Sequence, residues 1–248
     1  MSVVRYFSFG DSPSYPVCAL TLAAAGPMKP TVDDANRERV FRSLGVAPSS
    51  VLAVRQIHSR IVHIADSPNS VRGFPEGDGI LTRNAELVPS VTVADCMPIW
   101  LFDPETAVFG VLHSGWKGTG IVRSAIELAF DEWGAEARNF RVILGPHIRS
   151  CCYTVDAERA EYFTRSFGPS CVTLDRDREA EGSQWPYRLS LAEANRLLCS
   201  SLGILPDHIT DVGECTACKQ IYGSNRREGS DKFTHMAAFI RAGGQARY

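Results

Sequence analysis

Short apolar runs alternate with turn residues along this chain, and the spacing of the apolar positions predicts a mixture of strands and helices. Residues 31–45 carry Val40, Phe41 and Leu44 at helical spacing. Thr31 and Asp34 stand in capping-box relation ahead of them, and Gly45 suits the residue after the last turn. Residues 121–133 place Ile121, Ala125, Leu128 and Ala129 on one helical face, with Gly134 as the stop. A third helix is expected over 156–167, ended by Gly168, and a fourth from the Ser190–Glu193 capping box to Leu202. The runs at 51–57, 61–65, 91–94, 99–102, 107–112 and 140–144 are too short for helices and read as strands. Gly77-Asp78-Gly79 and Asp103-Pro104 read as turns between them. No repeat, low-complexity tract or long linker breaks the series, so the expected fold is α/β or α+β in a single domain over residues 1–248.

Composition narrows the partners. Of 248 residues, 44% are hydrophobic and 22% charged, which fits a chain with a real core and excludes disorder. The net charge of −2 offers no broad basic field, so neither nucleic acid nor an anionic membrane is expected as a partner. No apolar run approaches the roughly 18 residues of a bilayer span, and the first residues lack the apolar centre of a signal peptide. The expectation is a cytoplasmic protein, monomeric or weakly self-associating. In that compartment the eight cysteines stay reduced, so they are better read as ligands or nucleophiles than as disulfides.

Three segments carry candidate chemistry: Gln56-Ile-His58-Ser59, Thr92-Val-Ala-Asp-Cys96-Met-Pro98, and Leu112-His113-Ser-Gly-Trp-Lys-Gly-Thr119. Each puts a His or Cys at the C-terminal end of a predicted strand, where side chains from several strands can converge. Two imidazoles and a thiolate from His58, Cys96 and His113 would make a three-ligand set with one open position, as in catalytic zinc sites. The same groups would equally serve a cysteine nucleophile with a histidine base. A buried thiol beside two hydrogen-bonded histidines is the third reading. His and Cys suit copper as well as zinc, so the donor set leaves the metal open. Asp95 and Asp78 are candidate acceptors that would orient the histidines, as metal-bound imidazoles require.

In order along the chain stand Gln-x-His, Asp-Gly-Ile-Leu-Thr (78–82), Thr-x-Ala-Asp-Cys-x-Pro (92–98), His-x-Gly-Trp-x-Gly (113–118), Leu-Gly-Pro-x-Ile (144–148), Cys-Thr (215–216) and Ser-x-Arg-Arg (224–227). This set resembles the YfiH-type family, whose members are variously named laccase-domain proteins, polyphenol oxidases and purine nucleoside phosphorylases. The resemblance implies a four-layer α/β/β/α sandwich similar to the catalytic domain of cytotoxic necrotising factor toxins. It also implies zinc held by His58, Cys96 and His113. The activity implied is phosphorolysis of adenosine, inosine and methylthioadenosine, together with deamination of adenosine. Two departures stand out: Phe7–Ser12 replaces the family's opening Ser-Thr-Arg block, and Lys117 replaces the commoner arginine after the tryptophan.

Counting residues tests the rival activities. A laccase needs a histidine-rich trinuclear copper cluster beside a His/His/Cys site, and six histidines are too few. Met97, next to Cys96, is expected to pack rather than ligate, because neighbours in an extended segment point opposite ways. The H-x-E of zinc nucleobase deaminases is absent, so any deamination would use another arrangement. For phosphate, Lys117 with the N–H groups of Gly118 and Thr119 before the helix at 121 forms a candidate anion site. Arg226 and Arg227 are further candidates for phosphate contacts, and His147 for the pocket. Cys215-x-x-Cys218 has the spacing of half a zinc site, but no second Cys-x-x-Cys completes it. Both that pair and Cys151-Cys152 are therefore read as structural, with one thiol of the adjacent pair facing inward as a small hydrophobe. Two alternatives to the purine activity remain: a cysteine hydrolase or amidase with Cys96 attacking and His113 as base, for which the resemblance implies a role in peptidoglycan precursor editing, and a non-catalytic metal-binding protein.

Overall fold

The computed structural model describes residues 2–243. Its strands are β1 (Val4–Ser8), β2 (Val17–Thr21), β3 (Val51–Leu52), β4 (Val62–Ile64), β5 (Gly79–Thr82), β6 (Val88–Val93) and β7 (Met97–Asp103). They continue as β8 (Val108–Ser114), β9 (Arg141–Leu144), β10 (Thr154–Val155), β11 (Val172–Leu174), β12 (Tyr187–Leu189), β13 (Ile209–Asp211) and β14 (Met236–Arg241). The α-helices are α1 (Asp34–Ser43), α2 (Ile121–Trp133), α3 (Ala157–Phe167), α4 (Arg176–Ala180), α5 (Leu191–Ser201) and α6 (Asn225–Glu228).

Two large mixed sheets carry the molecule, one of five strands in the order β1-β2-β14-β6-β3 and one of six in the order β13-β9-β7-β8-β5-β4. They pack face to face. Val91 and Val93 of β6 and Met236, Ala238 and Ile240 of β14 meet Trp100 and Phe102 of β7 and Phe109 and Val111 of β8 in one buried cluster. Every second residue of each strand joins it, as strand geometry demands. Trp100 donates its indole N–H to the Phe239 carbonyl of the opposite sheet at 3.0 Å, so its polar edge is satisfied at full burial. The alternate residues of the six-stranded sheet, among them Ile99, Leu101, Leu112 and Leu144, face α2, α3 and α5. On the outer face of the other sheet, Ala19, Val88 and Phe239 receive Val40 and Phe41 of α1. A small sheet, β10-β12-β11, lies beside the α3–α5 region.

Most expected elements are present, with instructive shifts. Helix α2 has the bounds that its apolar spacing predicts. Helix α1 begins at Asp34 rather than 31, because the Asp33 and Asp34 carboxylates accept from Lys29 N–H (3.0 Å) and Thr31 N–H (2.9 Å) and fold those residues into a turn ahead of the helix. The strand expected over 51–57 stops at Leu52. Its partner there is Pro89, which has no N–H to give, and the Leu52 carbonyl accepts from Ser90 Oγ instead at 2.7 Å. Met97 is fully buried in the core, as the alternation of an extended segment requires. No helix among the described residues is long and apolar enough to cross a membrane.

Candidate functional site

Strand register builds the site. β5 and β7 both run antiparallel to β8, pairing Gly79 and Ile99 with Leu112 and Pro98 with His113. Both neighbours therefore begin where β8 ends. Asp78, the residue before β5, and Cys96, the residue before β7, fall on either side of His113. Backbone bonding holds the first of these close, with His113 N–H donating to the Asp78 carbonyl at 2.7 Å.

His58 arrives differently. The sequence placed it at a strand end, but it lies in the loop between β3 and β4 with a left-handed φ of 59°. Asp78 holds it there: its carboxylate accepts from the N–H groups of Ile57 (3.2 Å), His58 (3.0 Å) and Ser59 (2.6 Å) and from Ser59 Oγ (2.7 Å). The same carboxylate lies 2.8 Å from His113 Nδ1. One buried carboxylate thus fixes both histidines. Gln56 adds a second clasp, as its amide gives an N–H to the Thr92 carbonyl (2.8 Å) and accepts from Thr92 N–H (2.7 Å) and Oγ1 (2.7 Å). The sequence offered Gln56 only as a motif letter; its role depends on β6, which lies thirty-six positions away.

The donor atoms of His58, Cys96 and His113 all lie within 4.8 Å of one another. The two imidazoles meet edge to face, with centroids 4.8 Å apart at 75°. Gly115 makes room for the group: a Cβ there would stand 2.8 Å from Cys96 Sγ and 3.1 Å from His58 Cδ2. Because Asp78 occupies His113 Nδ1, Nε2 is left as the ligating nitrogen. Two imidazoles and a thiol closing on one point, with a glycine opening the space beside them, fit a metal of zinc or copper type.

Electrostatics follow from these contacts. Burial pushes the Cys96 thiol up, but the charge and hydrogen bond of His113 and the hydrogen bond of His58 outweigh it and bring the pKa down to about 6. Burial likewise disfavours a charged His113, and the Cys96 thiolate and Asp78 overcome it, raising that imidazole to about 9. Asp78, also pushed up by burial, is drawn down to about 2 by hydrogen bonds from His113 and Ser59. Without a metal, the Cys96 thiolate and the His113 imidazolium stabilise each other.

The three donors open onto a cavity of about 810 Å³. Its walls include the aromatic side chains Phe74, Trp116, Tyr153 and Phe233 and the basic groups Lys29, Arg226 and His235. Phe74, Tyr153, Phe233 and His235 had no role in the sequence reading. The last two precede β14, a strand whose fully apolar start gave no alternation to flag it.

Other expected residues sit elsewhere or act otherwise. Asp95 does not orient a histidine: its oxygens accept from Thr216 Oγ1 (2.6 Å) and Arg226 N–H (2.6 Å), bracing the turn before Cys96 against α6. Lys117, Gly118 and Thr119 do not line the cavity. Lys117 is exposed with its ammonium 5.4 Å from the Trp116 ring, Gly118 packs against the Ser59 carbonyl, and the Thr119 hydroxyl donates to the Gly115 carbonyl at 2.9 Å. The Arg227 guanidinium is spent on the carbonyls of Thr216, Ala217, Lys219 and Tyr222. His147 is buried against the Gly145 carbonyl (2.8 Å), away from the cavity lining, and burial lowers its pKa to about 4. Arg226 alone of these basic candidates reaches the cavity, with its guanidinium also bonded to the Cys152 carbonyl at 2.8 Å.

Residues 19–242 match the family described as multi-copper polyphenol oxidoreductase laccase. The chain belongs to that family. Within it, a protein of Geobacillus stearothermophilus named purine nucleoside phosphorylase YlmD is 29% identical over 214 residues, covering 83% of this chain and 77% of its own. The mouse protein named purine nucleoside phosphorylase LACC1 is 37% identical over 160 residues. That match covers 61% of this chain but only 35% of the mouse protein, so this laccase-family chain spans about a third of that relative. The crystal structure of the Geobacillus YlmD superposes with a TM-score of 0.82 at 26% identity, over 98% of this chain and 99% of the other. That of YfiH from Bacillus licheniformis gives 0.81 at 25% identity, over 92% of each. The family's laccase name meets an obstacle in this member: among the described residues two groups have metal-ligand spacing, and neither is the histidine-rich cluster of a multicopper oxidase.

Proposed function

We propose that this protein is a metal-dependent purine nucleoside phosphorylase. The observation that carries the reading is the placement of His58, Cys96 and His113 on a cavity walled by aromatic rings and basic groups. In the reaction, a phosphate oxygen bonds to ribose C1′ as the C1′–N9 bond breaks, giving ribose 1-phosphate and a purine that leaves with the bonding pair and takes up a proton. Trp116 and Tyr153 line the cavity and would be the aromatic contacts of the base, with the Arg159 guanidinium stacked on Trp116 at 4.3 Å from its ring centroid. Arg226 and Lys29 offer positive charge for the phosphate, taking the place the sequence gave to Lys117, Gly118, Thr119 and Arg227. Asp78 keeps His113 turned with Nε2 toward the reaction centre. His58, Cys96 and His113 would hold a metal of zinc or copper type, which would supply Lewis-acid polarisation to the reaction.

Adenosine, inosine and methylthioadenosine are the proposed substrates, with hydrolytic deamination of adenosine to inosine and ammonia as a side activity. We read residues 1–248 as one domain, and the stacking of α1, two sheets and the α2–α3–α5 group supports an α/β/β/α sandwich of the kind found in the cytotoxic necrotising factor toxins. Incubating adenosine with the enzyme, with and without phosphate, beside Cys96→Ala tests the activity. Adenine that depends on both phosphate and Cys96 supports the reading; no nucleoside product under either condition removes it.

A second reading has its own support. Cys96, His113 and Asp78 lie in the order of a nucleophile, base and orienting carboxylate, with the thiol already inclined to ionise. A cysteine hydrolase would become covalently labelled at Cys96 by an electrophilic substrate mimic in metal-free protein and would turn over amides or esters. Full activity only with bound metal argues for the phosphorylase.

A further inference from the structure

The second group of metal-ligand spacing lies outside the lining of the cavity. Cys151, Cys152, Cys215 and Cys218 bring their four sulfurs within 4.8 Å of one another, and all four are free thiols. One thiol of the adjacent pair was expected to face inward as a small hydrophobe, and Cys152 does pack against the core while Cys151 is exposed. The chain turns there, with the N–H groups of Cys152 and Tyr153 both donating to the Arg149 carbonyl at 2.8 Å, and both sulfurs also reach Cys218. The missing second half of the Cys-x-x-Cys motif is therefore this Cys-Cys pair, sixty-odd positions away and invisible to a search for spacing alone.

We propose that these four cysteines form a closed tetrathiolate site for a zinc-type divalent ion. Zn–S bonds of about 2.3 Å in a tetrahedron put neighbouring sulfurs about 3.8 Å apart. Cys218 Sγ lies 3.6 Å from Cys151 Sγ and 3.4 Å from Cys152 Sγ, close to that edge and well beyond a disulfide bond of about 2.0 Å. Cys215 Sγ accepts from Arg149 N–H at 3.4 Å, an N–H···S bond of the kind that favours thiolate. Three arginines pin the backbone that carries the sulfurs: Arg188 donates to the carbonyls of Ser150 and Cys151, Arg226 to that of Cys152, and Arg227 to those of Thr216 and Ala217. Their charge has the sign that a tetrathiolate of net charge −2 requires. Ion binding displaces the thiol protons, four if all are neutral beforehand, and no electron changes hands.

The site has work to do in this fold. It joins the loop after β9 to the loop after β13, already tied by the His147–Cys215 bridge. Ile148 N–H in the first loop and Thr216 Oγ1 in the second both donate to Asp95, the residue before Cys96. A metal at the four cysteines would therefore brace the turn that presents Cys96.

The test is made on full-length protein loaded with cobalt and with zinc. Wild type is expected to hold about two ions per chain and to show the strong thiolate-to-cobalt absorption of a four-sulfur site. Cys218→Ser should lose one ion and that absorption, whereas His58→Ala should lose the other ion and keep it, so failure of this site is distinguishable from failure of the nucleoside reading. Should Cys218→Ser not fold, the wild type still decides: alkylation of the exposed Cys151 and Cys218 should accelerate severalfold when a chelator is added. Equal alkylation with and without chelator, unchanged metal content in folded Cys218→Ser, or a disulfide among the four in protein purified without oxidant would each overturn the proposal.

Discussion

Asp78 Oδ1 and His113 Nδ1 lie 2.8 Å apart at near-complete burial, and the same carboxylate carries the backbone of the His58 loop. Two ligands on separate pieces of chain are thus oriented by one side chain. Asp78→Ala should strand four donors besides the imidazole, at a cost of about 3–5 kcal/mol, and weaken metal binding about 10- to 100-fold. Competition titration against a chromophoric chelator and urea unfolding read the two effects. Wild-type metal affinity in the variant would count against this role.

Asp78 also sets an acid limit. Its folded pKa of about 2 lies below the ordinary value of 3.8. A depressed carboxyl contributes stability that is present above the unfolded pKa and is lost as pH falls through the folded one. About 2 kcal/mol should therefore disappear between about pH 4 and pH 2. Urea midpoints across that window should fall in wild type and flatten in Asp78→Asn.

In metal-free protein, Cys96 should stay thiolate down to about pH 6 and alkylate at neutral pH. His113→Asn removes the main opposing charge and leaves burial to act, so labelling of Cys96 at pH 7 should drop. Cys18, Cys171 and Cys199 are buried and pushed upward, the last two to about 11 and about 12, and should remain unlabelled while the fold is intact. Peptide mapping after timed iodoacetamide treatment resolves each site.

Gly115→Ala probes the space around the three donors. Its methyl would intrude on Cys96 Sγ and His58 Cδ2, where overpacking costs about 1–3 kcal/mol. The expected result is loss of metal at this site with the fold retained, seen as a lower ion count and a native circular dichroism spectrum. Full metal occupancy would show that the donors close elsewhere.

The two neighbouring arginines should separate by phenotype. Arg227 is bonded to backbone carbonyls over 216–222, so Arg227→Ala should lower the melting temperature. Arg226 reaches the cavity, and Arg226→Ala should raise the KM for phosphate more than that for nucleoside. Thermal scans and initial rates at varied phosphate distinguish them.

Features set by near neighbours along the chain were readable from residue order alone. The apolar face and glycine stop of α2, the caps of α3 at Asp156 and α5 at Ser190, and the paired runs that became β7 and β8 were legible because their signals lie within a few residues. The donors His58, Cys96 and His113 were legible as residue types. Everything else depended on long-range packing. Strands β2 and β14 are buried almost throughout, so no alternation announced them. Lys117 and Arg227 have suitable charge, but packing turned one to solvent and spent the other on carbonyls. The pairing of Cys151-Cys152 with Cys215-x-x-Cys218 depends on a parallel bridge between His147 and Cys215 that closes a long loop. Local spacing cannot encode such a contact, because it forms only after the sheet has placed both loops at the same edge.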